Sequence, residues 1–269
     1  MTLLALPDPY DFDVSTERFR AFGIDRANLW HEGGLHRVVG GREVRIEAAE
    51  GGVDVRPLDD ETRPVVRKLL GAEFDLGSFS TWAACDRVLG PLTQRLAGFR
   101  PPLAPDPFEA LLTSITAQQV SLFSALAMRN RLIERFGERA EDAYSFPTRE
   151  RLARANDGEL VAVGFSRRKA EYAIGLARSE LDLDELATLP DDEVRARIIA
   201  LRGLGPWTAE WFLARHLARP RAWPEGDLAL RKAAELLYGV GVHELGPRLD
   251  PFQNLSAHYL LTGARMAPA

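Results

Sequence analysis

The larger, C-terminal part of the chain carries apolar residues at helical spacing. In the segment DDEVRARIIAL, residues Val194, Ile198, Ile199 and Leu201 share one side of a helix. Similar helix-sized segments follow one another from about residue 70 onward, and Gly, Pro or Asp separates them. The stretch 108–137 fits either two helices or one long helix with polar breaks. This pattern predicts a helical bundle.

The N-terminal part follows a different pattern. Apolar and polar residues alternate around paired glycines, and VVGGREVRI is typical of a β-hairpin. We therefore predict a small α+β domain with an antiparallel sheet over residues 1–70 and a helical region over 71–269. The fold class is α+β, mainly α.

Two glycines and a proline interrupt the helical pattern in LRGLGPW. Gly203 and Gly205 permit a tight turn or a close backbone approach, and Pro206 suits the first turn of a new helix. The segment predicts a helix-hairpin-helix. Such a hairpin is often only a turn, but its free amides also suit a DNA phosphate. The backbone carbonyls near Leu201 and Leu204 are candidates for holding a structural monovalent cation.

Composition limits the class of protein. The chain has 269 residues, a formal net charge of −5 and one cysteine, so it has no internal disulfide and no four-cysteine metal site. No apolar run approaches the roughly 18 residues of a membrane span, and the N-terminus does not resemble a signal peptide. The histidines lack metal-ligand spacing. We expect a cytoplasmic protein without a side-chain metal site or other cofactor.

Three residues that follow the hairpin turn are candidates for a functional site. Asp227 precedes the helical segment LALRKAAELLYG, where it fits an ordinary N-cap or a catalytic carboxylate. Trp207 and Trp211 are four residues apart and share a helix face, which suits core packing or an aromatic binding surface.

The ordered combination of ITAQQVS, GFSRRKAEYAIGLA, LRGLGPW and WPEGD resembles the helix-hairpin-helix DNA glycosylase superfamily, whose signature ends in Gly-Pro-Asp. Within it, the chain is most similar to the 3-methyladenine DNA glycosylase II family. The resemblance covers nearly the whole chain. It implies an N-terminal sheet domain and two helical subdomains with the cleft between them.

The resemblance also implies roles for particular residues. Asp227 would be the catalytic carboxylate, and Trp207 stands where lyase members carry a lysine, so we expect hydrolysis alone. Gln119 occupies the position of the residue that fills the vacated base stack, although structural hydrogen bonding fits it nearly as well. Trp207 and Trp211 would line the base pocket and attract an alkylated, positively charged purine, and Leu261 replaces a further tryptophan expected in that pocket. Phe252–Gln253 stands in place of a Trp-Arg pair.

Arg167 and Arg168 begin a helical segment, where they suit contact with DNA phosphate or simple solvation. The predicted function is a monofunctional glycosylase that excises alkylated purines from double-stranded DNA, acting as a monomer. The alternatives are a glycosylase for hypoxanthine, uracil or an oxidised base, and a DNA-binding module without catalysis.

Overall fold

A computed structural model describes residues 2–266. Its N-terminal part forms one antiparallel sheet of five strands in the order β1-β5-β4-β3-β2. The strands are β1 (Leu3–Ala5), β2 (Leu29–His31), β3 (Gly34–Val39), β4 (Arg42–Ala49) and β5 (Gly52–Arg56). The predicted hairpin joins β3 to β4, and both glycines of its turn have positive φ, 56° at Gly40 and 75° at Gly41.

Helices make up most of the remaining chain. In the sheet domain they are α1 (Phe12–Thr16), α2 (Arg18–Ala21) and α3 (Thr62–Leu69). The next are α4 (Leu76–Ala83), α5 (Leu89–Arg95), α6 (Pro107–Ala117), α7 (Leu122–Phe136), α8 (Arg149–Ala153), α9 (Asp157–Ala162) and α10 (Arg167–Arg178). A 3₁₀ turn (Glu185–Thr188) then precedes α11 (Asp191–Ile199), α12 (Pro206–Arg215), α13 (Leu228–Tyr238), α14 (Val242–Arg248) and α15 (Gln253–Arg265). The predicted α+β, mainly α, fold is confirmed.

The buried apolar residues form three clusters. One cluster, within residues 4–72, lies under the sheet. A second uses residues 74–103 together with 223–260, and a third uses residues 108–222. The chain therefore enters the second cluster, leaves it to build the third, and returns just before Asp227. Leu261 packs against both helical clusters and so marks their junction.

A buried ionic network ties the sheet to the third cluster. Glu109 on α6 accepts hydrogen bonds from Arg37 on β3 at 2.5 Å and from Arg129 on α7 at 2.6 Å. Burial is the largest single effect and raises the pKa of the Glu109 carboxyl, but the two arginines together outweigh it and hold that pKa below its ordinary value. Paired buried charges of this kind fix the relative position of the elements that carry them. No helix within residues 2–266 has the length and apolar character needed to cross a membrane.

A buried histidine joins α12 to the sheet domain. His216 follows α12, its Nδ1 donates to the Ala104 carbonyl at 2.8 Å, and its Nε2 accepts from the Lys68 ammonium at 3.3 Å. Burial is the main reason that the pKa of His216 falls from 6.5 to about 4, and the charge of Lys68 lowers it further. His216 is therefore neutral in the folded protein.

This arrangement predicts a pH-dependent loss of stability. Unfolded His216 binds a proton below about pH 6.5, whereas the folded protein resists protonation down to about pH 4. His216 thus makes its full contribution to the free energy of unfolding above pH 6.5. About 2 kcal/mol of that contribution is lost by pH 5. Urea unfolding at pH 7 and pH 5 should show a smaller decrease for His216→Gln than for the parent protein. Equal decreases would show that His216 is not buried in the neutral form.

Candidate active site

The two helices of the predicted hairpin are α11 and α12, and the loop between them contains residues 201–205. Gly203 has φ +89°, and a Cβ there would lie 2.1 Å from Cγ of Tyr172. Gly205 is extended, with φ −124° and ψ −175°, and a Cβ there would meet no atom within 4 Å. The first glycine is therefore required for the turn itself, whereas the second leaves the backbone open on its outer side.

Within residues 2–266, no side chain caps the start of α12. Pro206 has no amide hydrogen, and Gly205 has no side chain to accept from the next amides. The first free backbone N–H groups of α12, at Trp207 and Thr208, therefore have no capping side chain at the positive end of the helix dipole. This is the geometry in which a helix start binds an anion.

Two other predicted elements contact the hairpin. Gln118, at the end of α6, donates from Nε2 to the Gly203 carbonyl at 2.8 Å. On α10, the Tyr172 ring packs against Gly203, and Lys169 donates to the Thr116 carbonyl on α6 at 3.0 Å. The segments ITAQQVS and GFSRRKAEYAIGLA therefore lie beside the hairpin.

The three residues of these neighbouring segments that were predicted to meet DNA are all exposed. Gln119 is exposed between α6 and α7, with φ 55°, so this stretch is two helices rather than one. Leu122 and Phe123 follow it and are 60% and 66% exposed. Arg167 and Arg168, in the first turn of α10, are also exposed. The signal missed in the sequence is this pair of exposed apolar residues shortly after Gln119.

Asp227 is the N-cap of α13, and its carboxylate accepts four hydrogen bonds. Oδ1 accepts from the backbone amides of Ala229 and Leu230 at 2.9 and 3.0 Å. Oδ2 accepts from the indole Nε1 atoms of Trp207 and Trp211 at 3.1 and 3.0 Å. A carboxylate offers about four lone-pair positions, so these donors occupy them all. The N-cap and catalytic interpretations are thus compatible, because one oxygen serves the helix and the other faces the indoles.

The two tryptophans differ in how much of their ring surface is accessible. Trp207 is half-buried, and the loop at Gly226 packs beside it. Trp211 is only 3% exposed, and the guanidinium carbon of Arg215 lies 3.5 Å from the centroid of its ring. Trp211 therefore presents its N–H to Asp227, while Arg215 covers one face that was predicted as an aromatic wall. Of the two, only Trp207 keeps appreciable exposed ring surface.

Leu261 lies half-buried on α15, at the junction of the two helical clusters. One turn earlier on the same helix, His258 is buried and its ring is 5.8 Å from the Trp211 ring. Burial lowers the pKa of His258 well below its ordinary value, and the charges of Arg215 and Arg18 add to this effect. Besides the predicted carboxylate, the site thus contains one arginine, Arg215, that the motifs did not indicate.

The fold and this site define a helix-hairpin-helix protein with an acidic residue at the start of the helix that follows the hairpin loop. A family model described as "HhH-GPD superfamily base excision DNA repair protein" matches residues 112–244. The chain belongs to this superfamily.

Relatives and solved structures are similar to the chain over different lengths. The DNA-3-methyladenine glycosylase of Bacillus subtilis is 32% identical over 196 residues, 68% of this chain and 65% of the relative. DNA-3-methyladenine glycosylase 2 of Escherichia coli is 35% identical over 53% of this chain and 50% of the relative. The structure of a 3-methyladenine DNA glycosylase from Archaeoglobus fulgidus has a TM-score of 0.89, covers 99% of both chains and is 26% identical. The matches to the first three curated relatives span 65%, 45% and 43% of their lengths.

Proposed function

We propose that this protein is a monofunctional DNA glycosylase that hydrolyses the N-glycosidic bond of alkylated purines of the 3-methyladenine type in double-stranded DNA. The observation that carries the proposal is the Asp227 carboxylate, which the indoles of Trp207 and Trp211 hold beside the hairpin. A DNA-binding module without catalysis would not need a carboxylate fixed in this way. The names of the curated relatives support the substrate class.

Binding begins at the DNA backbone. The uncapped amides at the start of α12 bind a phosphate beside the lesion, and Arg167 and Arg168 add positive charge nearby. The base must leave the stack to be reached, and Gln119 or an exposed neighbour fills the gap. These contacts carry no information about the lesion, so selectivity arises in the base pocket beside Trp207, Trp211 and Leu261.

The chemistry then depends on the charge of Asp227. As the bond between C1′ and the base breaks, its electron pair stays with the base and positive charge develops on the deoxyribose. The carboxylate stabilises that charge, and a water oxygen bonds to C1′ and gives up one proton to the surrounding solvent. Because both carboxylate oxygens already accept two hydrogen bonds, Asp227 supplies charge rather than a free lone pair for the proton. An alkylated base is a good leaving group, so no strong general acid is needed.

The test is incubation with duplexes that each carry one damaged base, followed by detection of abasic sites. We expect abasic sites in DNA whose strand stays intact until alkali is added, because Trp207 cannot form an imine with the sugar. Binding without base release would contradict the proposal. Borohydride trapping of a covalent protein–DNA adduct would contradict the monofunctional mechanism alone.

The hairpin carbonyls are proposed ligands for a monovalent cation. The Leu201 carbonyl accepts the Leu204 amide at 3.1 Å, which leaves its second lone pair for an ion. A cation there would supply positive charge toward the phosphate, and the residues present fit that role. No other cofactor is proposed. A monomer acting in the cytoplasm stays a prediction from the sequence.

A further inference from the structure

Two buried polar atoms beside Trp211 have no hydrogen-bond partner within residues 2–266. They are Nε of Arg215 and Nε2 of His258. The guanidinium carbon of Arg215 is 3.5 Å from the Trp211 ring centroid, and the His258 ring is 5.8 Å from it. Buried polar atoms are almost always hydrogen-bonded, so the polar groups around Trp211 are not satisfied by the described part of the chain, and the Arg215 guanidinium lies over the ring without a fixed partner.

Arg215 remains a cation in this setting. Burial and the charge of Arg18 lower the pKa of Arg215 to about 9, while Asp227 opposes that decrease. The guanidinium is therefore protonated at neutral pH. It also ends α12, where the negative end of the helix dipole favours a positive side chain.

The acids near the two arginines are already engaged. Asp227 accepts its hydrogen bonds from two indoles and two backbone amides. Asp25, which lies near Arg18, pairs with Arg129. Arg18 lies in the sheet domain and acts on Arg215 only through its charge, which lowers the pKa of Arg215. The positive charge of Arg215 thus lies near Asp227 without an acid that is free to pair with it.

We propose that Arg215 determines specificity by donating hydrogen bonds to a carbonyl oxygen on the flipped base. This inference rests on the proposed function and names the substrates that the same site prefers. A guanine-type purine carries an acceptor oxygen at position 6, whereas an adenine-type purine carries an amino donor there. Arg215 therefore favours methylated guanines over methylated adenines. The same contact stabilises the electron pair that the departing base receives.

The test compares 3-methylguanine with 3-methyladenine, which carry the same added methyl group. Both are present in DNA treated with a methylating agent, and the released bases can be separated by chromatography. In Arg215→Met the side chain still covers Trp211 but has no donor and no charge. The single-turnover rate for 3-methylguanine relative to 3-methyladenine should fall about tenfold or more, since a hydrogen bond from a charged donor is lost. Binding to a duplex with an abasic-site analogue should not change.

The outcomes separate this inference from the proposed function. Equal loss for both bases would place Arg215 on the DNA backbone and overturn the inference, as would unchanged rates. If Arg215→Met does not fold, Arg215→Gln serves instead, since it keeps an amide donor but has no charge. The rate for 3-methylguanine relative to 3-methyladenine should then fall by at least about threefold. An unchanged ratio of the two rates would refute the inference. Failure of the parent protein to release any base would instead refute the proposed function.

Discussion

Replacing Asp227 with Asn should lower the single-turnover rate of base release by about two to three orders of magnitude. The substitution removes the negative charge that stabilises the sugar as the glycosidic bond breaks. Binding to a duplex with an abasic-site analogue should persist, because the hairpin amides and the arginines of α10 do not involve Asp227. The measurement is release of 3-methyladenine at saturating enzyme, together with an affinity titration.

The structure adds a second consequence of this substitution. The amide side chain of Asp227→Asn would have one acceptor oxygen and one amino group, whereas each oxygen of Asp227 now accepts from two donors. Whichever way the amide turns, its N–H groups face either two indole N–H groups or two backbone amides. We therefore expect a loss of about 1–3 kcal/mol in the free energy of unfolding as well. Assays should be run well below the unfolding temperature of the variant.

Glu225→Gln is the matched control for Asp227→Asn. Glu225 lies in the same loop, is exposed and pairs with His243 at 2.9 Å, so its charge is far less confined than that of Asp227. This control variant should release bases at the parental rate. A folded Asp227→Asn protein with near-parental activity would rule out the proposed mechanism, and equal losses in both variants would indicate a general effect of charge in the loop.

Local sequence signals predicted the elements that position the site. Helical spacing and the Gly-x-Gly-Pro turn identify α11 and α12, because both depend on residues close together in the chain. The spacing of Trp207 and Trp211 correctly placed them on one face of α12. That their two N–H groups converge on one oxygen could not be predicted, because it depends on both rotamers and on the path by which the chain returns to Asp227.

The positive charge of the site illustrates the same limit. Arg215 is four residues after Trp211, so helical spacing could have indicated that the two side chains meet. The cation over the face of Trp211, where an aromatic wall was expected, could therefore have been predicted from the sequence. The effect of Arg18, whose charge lowers the pKa of Arg215, could not, because Arg18 comes from the sheet domain and no local pattern connects it with α12.

The two hairpin glycines should respond differently to substitution, and Gly205→Val should separate DNA binding from folding. At Gly205 the backbone is extended, as any residue allows, and a Cβ meets no atom within 4 Å, so the variant should fold. Its branched side chain would stand beside the uncapped amides of α12 and keep a phosphate away. Affinity for damaged and undamaged duplexes should fall alike, by roughly tenfold for a lost charged hydrogen bond.

Gly203→Ala and Gly241→Val complete this experiment, whose readouts are thermal unfolding and affinity for the two duplexes. Gly203 has φ +89°, and an added Cβ would lie 2.1 Å from the Tyr172 ring, so Gly203→Ala should destabilise the fold itself. Gly241 is likewise an extended N-cap, and an added Cβ there would meet no atom within 4 Å. Because Gly241 precedes α14 rather than α12, Gly241→Val should leave DNA binding intact. If Gly205→Val lost affinity for damaged DNA alone, Gly205 would belong to the base pocket. Unchanged affinity for both duplexes would show that the hairpin does not contact DNA, because the valine side chain would block the amides without any loss of binding.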